Sequence, residues 1–89
     1  MATTADDVQR FILGRIDDPL RAKGVATADV PSSFDLLLEG VIDSFGIVEL
    51  IGALEGRYGL EFDFDELAPD DLTRIGPLSS YVAAKLNGK

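Results

Sequence analysis

The stretch Asp43-Ser44-Phe45-Gly46-Ile47-Val48-Glu49-Leu50-Ile51-Gly52-Ala53-Leu54-Glu55-Gly56-Arg57-Tyr58-Gly59 decides how this chain folds. At about 100° per residue, Ile47, Leu50, Ile51, Leu54 and Tyr58 fall on one side of a helix, spaced as a core-facing stripe. Gly59 stands where such a helix closes. Phe45, Val48 and Gly52 fall on roughly the opposite side, with Glu49 and Glu55 flanking them. A phenylalanine and a valine one turn apart beside two carboxylates make a small apolar patch with an acidic border. The plainer alternative packs Phe45 down on the preceding loop and leaves Val48 incidental.

Toward the N-terminus, Val8, Phe11, Ile12 and Ile16 repeat as the stripe of a second amphipathic helix. Thr4 is its expected N-cap, with Asp6 and Asp7 in the first turn, where the helix dipole favours negative charge. Continuing through Pro19 would drive the proline ring into the carbonyl of Arg15, so this helix is predicted to end near Asp17 or Asp18. Residues 21–42 read as one long connection punctuated by Gly24, Pro31, Ser32, Ser33 and Gly40. A loop of that length is anchored or functional. Phe34, Leu36, Leu37 and Leu38 are the expected anchors, with one helical turn running from Ser33 through Leu36 and Leu37.

Beyond Gly59, Leu60, Phe62 and Phe64 alternate with Glu61, Asp63 and Asp65. With no partner strand in the chain, this is expected to be an extended loop whose aromatics plug the core. Pro69-Asp70-Asp71-Leu72 looks like the start of a short third helix. Gly76-Pro77 begins the last, with proline at the tolerated first position and Leu78, Val82 and Leu86 along one side, Tyr81 beside them. The predicted fold is all-α: a four-helix bundle with a long first loop and a short third helix, one domain over residues 1–89.

The composition excludes whole classes of chemistry. The 89 residues carry 16 acidic and 8 basic side chains, a net charge of −8, and no histidine, cysteine or tryptophan. A serine–histidine–acid triad, a histidine-ligated metal, a thiolate nucleophile and a disulfide are therefore impossible. The charge opposes nucleic acid and favours basic protein partners. It is also uneven: residues 41–75 hold 9 acids against 2 bases, whereas residues 76–89 hold two lysines and no acid. The segment Met1–Asp7 has neither the basic nor the apolar region of a signal peptide, and no apolar run could span a bilayer. A monomeric cytoplasmic protein without membrane insertion is the expectation.

Several motifs fail on inspection. Asp63-Phe64-Asp65-Glu66 is not a calcium loop, because Leu67 stands where an oxygen ligand belongs and Ala68 where glycine is needed. Glycines 52, 56 and 59 precede no Gly-Lys-Ser/Thr, and Ile42 excludes a G-x-S-x-G elbow around Ser44. So short a chain offers no cleft to separate the pKa values of two carboxylates, and no catalytic residue is assigned.

Ser44 is the remaining candidate. By local pattern, Asp43 or Ser44 is a helix cap accepting an early backbone N–H. The run from Leu37 to Leu50, Leu-Leu-Glu-Gly-Val-Ile-Asp-Ser-Phe-Gly-Ile-Val-Glu-Leu, also resembles the acyl carrier protein family. The resemblance continues through Leu54–Phe62, Leu72–Ile75 and Tyr81-Val82, over essentially the whole chain. It implies that Ser44 carries 4′-phosphopantetheine donated by coenzyme A, and that the arm's thiol holds acyl or aminoacyl groups as thioesters. It further implies that Asp43 helps place the serine for a phosphopantetheinyl transferase and its metal. Phe45, Val48, Glu49, Gly52 and Glu55 would meet basic-surfaced acyl- or aminoacyl-transferring enzymes. In the family's manner the core stripe would shelter part of an acyl chain. Phe45 replaces the family's usual leucine, and Val41-Ile42 replaces the paired glycines of peptidyl carriers. The wording is closest to discrete carriers of fatty acid, polyketide or related biosynthesis, D-alanyl and aminoacyl carriers among them. The competing expectation is an unmodified acidic helical interaction module.

Overall fold

Thr4 opens the first helix, α1 (Ala5–Arg15), with a reciprocal cap: its hydroxyl accepts the Asp7 amide and the Asp7 carboxylate accepts its amide, each at 3.1 Å. A computed structural model describes residues 3–87. Among these the chain is all-α, with α2 (Asp17–Ala22), α3 (Ser44–Tyr58) and α4 (Ile75–Asn87) following α1, and 3-10 turns at Thr27–Asp29 and Pro69–Leu72. The predicted third helix is thus a single 3-10 turn. A fourth α-helix exists because the chain, expected to leave helical geometry near Asp17 or Asp18, breaks at Ile16 and resumes as α2 through Ala22, the start of the predicted connection.

That break follows from proline. Ile16 leaves helical geometry at φ −108° and ψ 14°, so the carbonyl that Pro19 would strike is the last of α1. The chain then resumes as α2 with Pro19 in its first turn, where a missing N–H costs nothing. Leu20 gives α2 its purpose: it is fully buried. With Val8, Ile12, Ile16, Leu54, Ile75, Leu78 and Val82 it belongs to one continuous core between the helices. Each such side chain contributes about 1.5–3 kcal/mol by leaving water.

The long first loop is pinned partly as expected. Leu36 is fully buried and Phe34 packs half-buried on the core, but Leu37 and Leu38 are exposed, Leu38 to 81%. Val30 and Val41 are the further anchors. The helical turn falls at residues 35–40, and its cap is Asp35 rather than Ser33: Oδ1 accepts the amides of Leu37 and Leu38, both at 3.0 Å. With one turn only, three consecutive leucines cannot all face inward.

The same loop supplies the start of α4. The carbonyl of Phe34 accepts the Ile75 amide at 3.1 Å and that of Ser32 accepts the Gly76 amide at 2.8 Å, while Leu36 donates to Thr73 at 2.8 Å. Two helix-end N–H groups that have no intrahelical acceptor are thereby satisfied. A Cβ at Gly76 would lie 2.6 Å from Ser32, so only glycine admits this approach. Pro77 occupies the third helical position, not the first, because the loop carries the helix start back to Ile75. Asp35 Oδ2 adds a bond from the Thr73 hydroxyl at 2.9 Å. Burial raises the pKa of this carboxyl, but the Leu38 amide, the Thr73 hydroxyl, the Leu37 amide and the Arg74 charge outweigh it and hold the group below its ordinary value.

After α3 closes at Gly59, φ 67°, the chain is irregular through Asp63 and turns at Phe64 and Asp65 where an extended loop was expected, and only one of its two phenylalanines plugs the core. Phe62 is buried, whereas Phe64 is 55% exposed. The loop is fastened from both sides. Glu55 Oε2 on α3 accepts the Phe62 amide at 2.9 Å, and Tyr81 on α4 accepts the Asp63 amide through its hydroxyl at 3.0 Å. The Tyr81 hydroxyl and the Lys85 ammonium both donate to Glu66 Oε1, at 2.9 and 3.0 Å. These two donors, Lys85 first, lower the Glu66 pKa. Along α4, Leu78 and Val82 are buried as expected and Leu86 is half-buried against the core.

Candidate functional site

The start of α3 separates two roles that the sequence left joined. Asp43 is the N-cap: its backbone is extended and its Oδ1 accepts the Gly46 amide at 2.8 Å. A Cβ at Gly46 would meet the Ile42 Cβ at 2.9 Å, so glycine here lets the half-buried Ile42 close under the first turn. Ser44 is the first helical residue and is exposed. Its hydroxyl makes no hydrogen bond among the described residues, and the amides of Ser44 and Phe45 meet no acceptor there either. An outward hydroxyl at a helix N-terminus with two open amides can be esterified by a phosphate without disturbing the cap. The Asp43 carboxylate beside it works against the phosphate charge.

Around Ser44 the predicted face assembles except at one edge. Phe45 and Val48 are 68% and 65% exposed, and Glu49 is exposed. Gly52 is open, with nothing within 4 Å of where a Cβ would stand. Phe45 therefore does not pack on the long loop. Glu55, by contrast, is half-buried, and its carboxylate is held by the Phe62 amide on the boundary of the core stripe. It tethers the following loop and is not an open member of the patch.

Sequence reasoning missed Leu38. Read as an anchor, it stands exposed six residues before Ser44, on the turn capped by Asp35, with exposed Glu39 next to it. The signal was available: Asp35 at the head of a one-turn segment leaves room for a single inward leucine. Among the described residues, four of the five exposed large apolar side chains, Leu37, Leu38, Phe45 and Val48, lie within residues 37–48.

A small pocket of about 110 Å³ also opens beside this helix end, lined by Arg15, Ile16, Ile42, Gly46, Glu49 and Leu50. Gly46, Glu49 and Leu50 lie roughly 120–160° round α3 from Ser44. Val48, Ile51 and Glu55, none of them lining the pocket, are the α3 residues on the same side as Ser44. Among the described residues no three His, Cys, Asp or Glu side chains gather as a metal site, and no helix is long and apolar enough to cross a membrane. No protein-family model, curated protein or solved structure matches the chain.

Proposed function

We propose that the protein is a carrier modified on Ser44 by 4′-phosphopantetheine, with Asp43 holding the helix start while a phosphopantetheinyl transferase acts on the serine. One observation carries this reading: the cap is made by Asp43, so the exposed Ser44 hydroxyl is left without a structural task. The order of elements supports it, with a long loop delivering the chain to an acidic helix that begins at the serine. When bound, the arm supplies the thiol that the polypeptide lacks and holds acyl or aminoacyl groups as thioesters. Phe45, Val48 and Glu49, with Leu38 before them, present an apolar surface bordered by carboxylates to basic partner enzymes of fatty acid, polyketide or related biosynthesis. In this reading the protein works as a cytoplasmic monomer, and Glu55 acts indirectly by fixing the loop beside α3.

The test is direct. Incubation with coenzyme A and a broad-specificity phosphopantetheinyl transferase adds one phosphopantetheine mass to the wild type and none to Ser44→Ala. An unmodified wild type, or an equally modified variant, ends the proposal. The second reading is an acidic interaction module without an arm, which the exposure of Phe45 and Val48 favours equally. It requires no mass gain and partner binding that Phe45→Ala or Glu49→Lys weakens.

A further inference from the structure

Phe64 follows the C-terminal end of α3, a helix whose fifteen residues span about 22 Å from its start at Ser44. It is more than a stray surface side chain. Its ring stacks on the buried Phe62 at 6.2 Å between centroids and 23° between planes, and Phe62 in turn rests 5.2 Å from Tyr81. The backbone beneath is fastened residue by residue: Phe62 to Glu55, Asp63 to the Tyr81 hydroxyl, Asp65 to the Asp63 carboxylate, and Glu66 to the Asp63 carbonyl. One face of an aromatic ring is thus presented to solvent by a loop already ordered, which lowers the entropic cost of binding something to it.

The charge around the ring says what that something is. Glu61, Asp63 and Asp65 line the same shallow depression as Phe62 and Phe64. The one cation there, Lys85, is engaged with Glu66 at 3.0 Å, while the three other carboxylates have no ion-pair partner among the described residues. An aromatic face ringed by unpaired carboxylates complements a guanidinium or ammonium with an apolar stem, which gains cation–π, ionic and packing contacts together.

We infer that the 61–65 loop is a second docking surface, taking an arginine- or lysine-bearing segment of a partner protein on the Phe64 ring between Glu61 and Asp65. It is separate from the face at Ser44 and stands whether or not that serine is modified.

The probe is a short capped peptide alternating arginine and leucine, with its glutamate–leucine counterpart as control, titrated into the full-length protein and followed by backbone amide shifts. The basic peptide is expected to perturb residues 60–66, the acidic one not, and added salt to weaken the effect. Phe64→Ala is expected to weaken binding roughly tenfold, as loss of an aromatic anchor does. Neither the Glu61 nor the Asp65 side chain holds a hydrogen bond among the described residues, so Glu61→Lys with Asp65→Lys tests the charge ring without untying the loop. Thermal melts check that both variants stay folded. No binding to the wild type, undiminished binding by both variants, or shifts confined to residues 44–49 overturns the inference.

Discussion

The Asp43 carboxylate accepts the Gly46 amide at 2.8 Å, and this single bond relieves the neighbouring Ser44 side chain of the capping role in α3. Stability and modification should therefore separate by one residue. Asp43→Ala is expected to destabilise the fold by about 1 kcal/mol in urea titration, with Asp43→Asn largely preserving it. Ser44→Ala should change stability by less than about 0.5 kcal/mol. A larger loss at Ser44 than at Asp43 would mean that the serine is the cap.

Leu36 and Leu38 differ by two positions and should differ widely in cost. Leu36→Ala empties a fully buried site and is expected to cost about 2–5 kcal/mol. Leu38→Ala removes a side chain that is 81% exposed and should cost within about 0.5 kcal/mol. Equal losses in chemical denaturation would restore Leu38 to the core.

Gly76 is held against Ser32 by the seam that joins the long loop to α4. Gly76→Ala puts a methyl group 2.6 Å from the Ser32 carbonyl oxygen and Cβ, and one side must move. A loss of about 1–3 kcal/mol is expected, despite the better helix propensity of alanine. A gain in melting temperature would contradict the close approach.

Asp35 gives the protein an acid-sensitive clasp. Its folded-state pKa lies below the ordinary 3.8, so the ionised carboxylate stabilises the fold above that value. The contribution is lost as pH falls through the folded pKa. Asp35→Asn retains an acceptor for the Leu37 and Leu38 amides but cannot titrate. Its stability should therefore vary less with pH than the wild type's below about pH 4. Identical acid limbs would show that the clasp contributes nothing through its charge.

Tyr81 reports on the loop at 60–66. Tyr81→Phe removes the acceptor of the Asp63 amide and one donor to Glu66, and leaves the ring against Phe62. Hydrogen exchange at Asp63 should accelerate severalfold while the amides of α3 keep their protection. Unchanged exchange at Asp63 would place the restraint elsewhere, at Glu55 or Lys85.

By itself the sequence determined what depends on local period and on chemistry present or absent. The stripe from Ile47 to Tyr58, the cap at Thr4, a cap at Asp43 or Ser44, the closing Gly59 and the break before Pro19 are local, because helix geometry and capping act within a few residues. The lack of histidine and cysteine settled the available side-chain chemistry before any fold was known. Tertiary structure decided everything that needed two distant segments to meet. Leu38 and Phe64 look like core residues by hydropathy, but the core had room only for Leu36 and Phe62. Glu55 looks like part of an acidic border until the Phe62 amide arrives to claim it. The start of α4 moved from Gly76 to Ile75 because Phe34 and Ser32, some forty residues earlier, supply its acceptors. Hydrophobic burial is a competition for limited interior space, and helix-end hydrogen bonds go to whichever acceptor the fold brings near. Neither outcome is written in the spacing of one segment.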